Sequence, residues 1–120
     1  MPLVAEQAAF LLDVCELIHF ATKQGFTVTG GELARPAEMQ ELYVKTGRSK
    51  TMDSQHLKRC AIDLHFFREG KLVGDRAALK PLGDYWESLN QKNRWGGSWR
   101  GLVDSGKSRF VDCPHFERQS

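Results

Sequence analysis

The stretch Ser54-Gln55-His56-Leu57-Lys58-Arg59-Cys60-Ala61-Ile62-Asp63-Leu64-His65-Phe66-Phe67 decides the fold, because a polar approach runs directly into a strong strand pattern. Between Ala61 and Phe67, Asp63 and His65 alternate with apolar residues. Successive side chains of a strand point to opposite faces, so one face should be apolar and the other should carry the polar groups. We expect a core strand with Asp63 on its open face and His56 in the loop before it.

The flanking segments predict helices and further strands. Apolar residues three and four positions apart between Phe10 and Ala21 predict a first helix. A second helix is predicted from Pro36 to Gly47, and a third begins near Pro81, since proline suits the first turn of a helix. Strands are predicted at Phe26–Thr29 and after a hairpin turn at Glu69-Gly70-Lys71. Residues 90–108 are expected to be loop, and a last strand is predicted at Arg109–Val111, running into Asp112. This order predicts one α+β domain spanning 1–120, with two or three helices packed on one face of a small, mainly antiparallel sheet.

Composition excludes several classes of function. The chain has 120 residues, of which 41% are hydrophobic and 27% charged, with a net charge of +2. That charge is too small to indicate nucleic acid binding, and no apolar run reaches the roughly 20 residues of a membrane span. The N-terminus lacks the layout of a signal peptide, and three cysteines without a paired motif favour reduced thiols. We expect a soluble protein made in the cytoplasm, binding neither nucleic acid nor membrane.

One zinc site can be assembled from the few histidines. A catalytic zinc commonly takes three protein ligands, nitrogen or carboxylate oxygen, and leaves one position open. His56 and Asp63 can share a site if the loop folds back over the sheet, and His115 completes the set if the last strand pairs beside Asp63. Asp112 could act as the general base that such a site needs, provided that Pro114 marks a bend. Surface histidines and paired carboxylates remain the alternative reading.

Three motifs carry a resemblance to a known family. They are Ser54-x-His56-x-x-x-x-Ala61-x-Asp63, Trp95-Gly96-Gly97-x-Trp99 and Asp112-x-x-His115-Phe116-Glu117. In this order and separation they resemble the zinc D-Ala-D-Ala carboxypeptidase and L-alanyl-D-glutamate endopeptidase family. That family includes many bacteriophage endolysins and shares its metal-site fold with the hedgehog signalling domain.

The resemblance implies a role for each matching residue. His56, Asp63 and His115 would bind one Zn²⁺ per chain in a cleft on the sheet, with Asp112 as general base. Arg35 would polarise the substrate carbonyl or grip a carboxylate, and Ser54 would contact substrate. Trp95 and Trp99 would either wall the cleft or cover the core.

The implied function is hydrolysis of an amide bond in the peptide stem of bacterial peptidoglycan by a monomeric, bacteriolytic metallopeptidase. The short base Asp112 favours the phage endolysin side, an L-alanyl-D-glutamate endopeptidase that reaches the cell wall after release from the host cytoplasm. A D-Ala-D-Ala carboxypeptidase and a non-catalytic, zinc-stapled wall-binding domain are the alternatives. Arg59 departs from the glycine that is frequent in the family. His65 is expected to play a structural role, and Cys113 to pack as a small core residue.

Overall fold

The described residues of the computed structural model, 2–31, 60–106 and 111–119, form two helices and five strands. The helices are α1 (Pro2–Lys23) and α2 (Arg76–Leu89), and the strands are β1 (Thr27–Gly30), β2 (Ala61–Arg68), β3 (Lys71–Val73), β4 (Asn93–Trp95) and β5 (His115–Arg118). All pairings are antiparallel in the order β1-β2-β5-β4, and β3 also pairs with β2. The prediction of an α+β domain with a small antiparallel sheet is confirmed.

Both helices pack on one face of this sheet around an aromatic core. The rings of Phe10 on α1 and Phe116 on β5 each meet Trp86 on α2 edge-on, with ring centroids 5.6 and 6.0 Å apart. Such edge-to-face contacts add to the stabilisation from burying the rings. The Trp86 indole N–H is shared between the carbonyl oxygens of Arg94 and Glu117, at 3.1 Å each. Trp86 therefore ties α2 to both β4 and β5, the strands nearest the motif at the C-terminus.

Strand β2 is the centre of the sheet, as its alternation predicts. Leu64 and Phe66 are buried in the core, whereas Asp63 and His65 are only partly buried on the other face. Asp63 pairs with His115 of β5, and Thr29 of β1 pairs with His65. The polar groups therefore line up across the face of the sheet that points away from the core.

Two local predictions are corrected. Helix α2 begins at Arg76 rather than near Pro81, because the Asp75 carboxylate accepts the N–H of Ala77 and caps it; Pro81 lies inside the helix. Residues 93–95, expected to be loop, form β4 through tertiary pairing with β5. Arg109 and Phe110 of the predicted last strand lie outside the described residues, and the described strand that follows them begins at His115. Gly25, with φ of +93°, ends α1 as predicted. The predicted helix after Pro36 lies outside the described residues.

A buried arginine fastens α1 to the sheet. Arg118 on β5 donates to Glu6 at 3.2 Å and to Asp13 at 3.0 Å, and Lys92 donates to Glu6 at 3.1 Å. A buried guanidinium needs such partners because an unpaired buried charge is costly. The hydrogen bond from Lys92, aided by that from Arg118, lowers the pKa of Glu6 below its ordinary value of 4.5.

The lowered pKa of Glu6 predicts an acid-sensitive fold. Because the folded-state pKa lies below the unfolded one, Glu6 contributes stability that is present above about pH 4.5 and is lost as pH falls through the folded value. We expect the Glu6→Gln variant to show a shallower loss of unfolding free energy with acid than the wild type. Urea denaturation from about pH 7 to about pH 3 measures this. Parallel curves for the two proteins would contradict the assignment.

Candidate metal centre and active site

The pairing of β2 with β5 brings two candidate ligands together. Because Asp63 and His115 are cross-strand partners, their side chains leave the same face of the sheet. His115 Nδ1 lies 3.6 Å from a carboxylate oxygen of Asp63. A metal ion bound by both of these atoms would require no change in the register of β2 against β5.

A turn before β5 adds Asp112 to this pair. The His115 N–H donates to the Asp112 carbonyl at 3.0 Å across Cys113 and Pro114, and the Asp112 N–H donates to the Gly96 carbonyl at 2.8 Å. The turn is the bend that the sequence required for Asp112 and His115 to share a site. One ligand atom each from Asp63, Asp112 and His115 lie within 4.8 Å of one another. One imidazole nitrogen and two carboxylates are ligand types that zinc accepts, so these side chains fit the implied metal.

Glu117 holds the His115 ring from behind. Glu117 Oε1 lies 2.7 Å from His115 Nε2, which leaves Nδ1 on the side of Asp63 and Asp112. Glu117 is itself buried and accepts the Nε hydrogen of Arg94 at 2.9 Å, with the terminal guanidinium nitrogen in contact as well. A carboxylate that accepts the far N–H of a metal-binding histidine fixes its ring and tautomer.

The electrostatics of the site favour positive charge. Burial lowers the pKa of His115, but the Asp63 and Glu117 carboxylates outweigh burial and raise the pKa to about 9. Burial raises the pKa of Glu117, but His115 and Arg94 more than offset it, so the pKa lies below its ordinary value. A buried imidazole among carboxylates that prefers to hold a proton is also a place where a metal cation would be stabilised.

The loop after β4 places an aromatic ring beside His115. The Trp99 ring centroid lies 5.4 Å from that of His115, and the Arg94 guanidinium carbon lies 5.6 Å from the centroid of the Trp99 ring. Trp99 and Arg100 have φ of +51° and +55°, a left-handed backbone uncommon for residues other than glycine. The Glu87 carboxylate holds this loop by accepting the N–H of Trp95 at 3.0 Å and of Arg100 at 2.7 Å. Such strained backbone persists where surrounding contacts impose it, commonly beside a functional site.

No family model matches the chain. A curated protein, the L-alanyl-D-glutamate peptidase of Listeria phage A118, is 31% identical over 97 residues, which cover 79% of this chain. This chain is therefore similar to that peptidase over most of its own length. It spans about a third of the length of that relative, 34%. A solved structure, the Serratia marcescens L-Ala D-Glu endopeptidase ChiX, shares the fold with a TM-score of 0.65, at 22% identity over 89% of this chain and 78% of that one.

The predicted site residues fall into two groups. The structure brings Asp63, Asp112 and His115 together. Arg35, Ser54 and His56 lie outside the described residues, so their assigned roles stay predictions. No described helix is both long enough and apolar enough to cross a bilayer.

The two tryptophans of the Trp-Gly-Gly-x-Trp motif have separate roles. Trp95 has no exposed surface, and a Cβ added to Gly83 of α2 or to Gly97 would overlap its ring. Its indole N–H donates to the Cys113 carbonyl at 2.8 Å. The expected substrate contact by Trp95 is therefore wrong, since its ring fills the core beneath the site. Trp99 is half-buried beside His115, and its place at the wall of the cleft stays a prediction.

Two further expectations concern neighbours of the site. His65 follows Asp63 on the same face and does not belong to the described cluster of Asp63, Asp112 and His115; its structural role stays a prediction. Burial raises the pKa of the Cys113 thiol, which opposes formation of the thiolate that a cysteine nucleophile needs. Cys113 packs against the core instead.

Sequence reasoning did not find Glu87 and Gly96, two residues on which the geometry depends. Glu87 lies on a helix and reaches the site loop only through tertiary packing, so nothing near it in sequence points to this role. Gly96 had a signal in the glycine pair after Trp95. The Gly96 N–H donates to the His115 carbonyl at 2.8 Å, and its carbonyl accepts the N–H of Asp112. The backbone of Asp112 and His115 therefore lies close to Gly96.

Removing the charge of Glu117 should weaken the metal site. We expect Glu117→Gln to lower zinc affinity by about 10- to 100-fold, because the substituted amide no longer fixes the His115 ring as a carboxylate does. Competition with a chromophoric chelator measures this affinity. Glu16→Gln, on the exposed side of α1, is the matched control and should bind zinc as the wild type does. Unchanged affinity in Glu117→Gln would exclude this orienting role.

Proposed function

We propose that this chain is a single-domain zinc peptidase that hydrolyses the bond between L-alanine and D-glutamate in the peptide stem of bacterial peptidoglycan. The observation that carries the proposal is the cluster of Asp63, Asp112 and His115, whose ligand atoms lie within 4.8 Å of one another on the open face of the sheet. Its relationship to the phage peptidase, 31% identical over most of this chain, supports the same bond as substrate.

The proposed metal site uses His115 and Asp63 from paired strands and His56 from the sequence before β2, with one zinc ion per chain. When bound, zinc supplies a Lewis acid that polarises the substrate carbonyl and makes water more acidic. His115 would bind through Nδ1, because Nε2 faces Glu117. The Glu117–Arg94 pair behind the ring keeps that nitrogen directed at the site.

Asp112 is the proposed general base. Its place in the turn before β5 puts its carboxylate beside both paired-strand ligands while it remains partly exposed to the cleft. It takes the proton of the attacking water and then gives it to the nitrogen of the leaving amine, so one carboxyl group serves both halves of the reaction. Arg35 is proposed to stabilise the charge that develops on the carbonyl oxygen, and Ser54 and Trp99 to hold the substrate.

Product mapping on a defined stem peptide tests this function. The purified protein, loaded with zinc, is incubated with L-Ala-γ-D-Glu-L-Lys-D-Ala-D-Ala, and the fragments are identified by mass spectrometry with and without a chelator. We expect free L-alanine and the matching tetrapeptide, and no cleavage with chelator. Release of the terminal D-alanine alone would instead make the protein a carboxypeptidase. Bound zinc without cleavage of peptide or intact cell wall would overturn the enzymatic assignment.

We also propose that the protein acts as a monomer on the cell wall once released from the cell that made it. Lysis of outer-membrane-permeabilised bacteria should then depend on the same metal as peptide cleavage, since one site performs both.

A further inference from the structure

Strand β2 changes partners beside the metal cluster, and this opens a groove. Its first residues, Ala61–Asp63, pair with β5, whereas Phe66–Arg68 pair with β3. The last link on the β5 side is the Leu64 N–H, which donates to the Pro114 carbonyl at 2.9 Å. After Leu64, the segment before β5 and strand β3 separate, because they lie along different parts of the same edge of β2.

The groove is lined mainly by apolar side chains. It encloses about 320 Å³, and the residues that line it include Leu64, Phe66, Leu72 and Val111. Ligand pockets begin at roughly 300 Å³, so this volume is large enough to hold part of a substrate. Leu72 is 62% exposed and Val111 45% exposed, although burying such side chains is favourable. A ligand in the groove would cover apolar surface that now faces solvent.

The groove is continuous with the proposed active site. Asp112 belongs both to the metal cluster and to the lining of the groove, and His65, next but one to Asp63 on β2, also lines it. Because Asp112 gives its proton to the leaving amine, the groove lies on the leaving side of the scissile bond. The residues after that bond therefore pass its mouth.

We propose that this groove binds the methylene chain of the diamino acid that follows D-glutamate in the peptide stem. The proposal rests on the proposed function, which sets the position of the scissile bond. D-Glutamate carries the leaving nitrogen, but its carboxylate would be desolvated in an apolar groove and repelled by Asp112. The next residue offers a long aliphatic chain, whose burial against Leu72 and Val111 is favourable and whose polar end reaches solvent.

A pair of substrates and a pair of variants test the groove. The substrates are L-Ala-γ-D-Glu-L-norleucine and L-Ala-γ-D-Glu-L-alanine, which differ only in methylene groups. The variants are Leu72→Asn at the groove and Leu12→Asn as control, since Leu12 is 69% exposed on α1 and does not line the groove. We expect the wild type and the control to prefer the norleucine peptide by about 10-fold in kcat/KM. In Leu72→Asn that preference should shrink to about 2-fold, through KM rather than kcat, with zinc affinity unchanged.

Binding of the product separates this proposal from the proposed function. Calorimetry with γ-D-Glu-L-norleucine on the zinc-loaded protein needs no catalysis, and we expect Leu72→Asn to weaken Kd by about 10-fold. If the wild type cleaves the peptides but Leu72→Asn keeps the full preference, the groove assignment falls and the peptidase assignment stands. If nothing is cleaved but product binding depends on Leu72, the peptidase assignment falls and the groove stands. If the protein neither cleaves the peptides nor binds the product, both assignments fall.

Discussion

Replacing Asp112 by asparagine should reduce kcat for stem-peptide hydrolysis by about 10²- to 10⁴-fold while zinc stays bound. Asparagine keeps the size and position of the side chain but cannot take a proton from water or return it to the leaving nitrogen. Backbone hydrogen bonds of the turn, from Asp112 N–H to Gly96 and from His115 N–H to the Asp112 carbonyl, do not involve the side chain and should survive.

The measurement is kcat and KM on the defined stem peptide, alongside zinc content and affinity of the same preparation. Asp84→Asn is the matched control, because that carboxylate lies exposed on α2 and pairs only with Lys80 among the described ion pairs. Full activity in Asp112→Asn would remove Asp112 from the proton transfer. Loss of zinc together with activity would instead identify Asp112 as a ligand, a role that its place in the cluster also permits.

Gly96→Ala should damage both fold and site, because no side chain fits at this position. An added Cβ would overlap the backbone carbonyl oxygen of Asp112 and lie 3.0 Å from the Cβ of His115. The obstacle is backbone, which cannot rotate away as the end of a flexible side chain can. We expect a loss of about 1 to 3 kcal/mol in unfolding free energy, typical of overpacking, and a clear fall in zinc affinity as Asp112 and His115 move apart.

Gly30→Ala is the control for this substitution. A Cβ at Gly30 meets open space on β1, so the change adds the same atoms without a clash. Urea unfolding and zinc competition should show Gly30→Ala close to the wild type and Gly96→Ala well below it. If the two glycine variants lose similar stability, the close approach at Gly96 does not control the site.

Local patterns predicted those elements whose residues decide their own conformation. Strand β2 follows from its alternation, the turn at Glu69 and Gly70 from glycine after a strand, and the end of α1 from Gly25. The predicted start of α2 near Pro81 was wrong, because proline favours the first turn of a helix but the helix begins where a capping residue is available. Asp75 supplies that cap. Short β4 has too few residues for a period, and only its pairing with β5 makes it a strand.

The sequence by itself supplied the candidate chemistry, because the motifs that contain Asp63, Asp112 and His115 resemble those of a zinc peptidase family. Tertiary structure alone decided how they meet. The register of β2 against β5 sets Asp63 beside His115, and a turn through Pro114 brings in Asp112. It also decided that Trp95 is buried in the core whereas Trp99 lies beside His115, and that a groove opens where β2 changes partners. These outcomes depend on contacts between residues distant in the chain, whose energies no local pattern encodes.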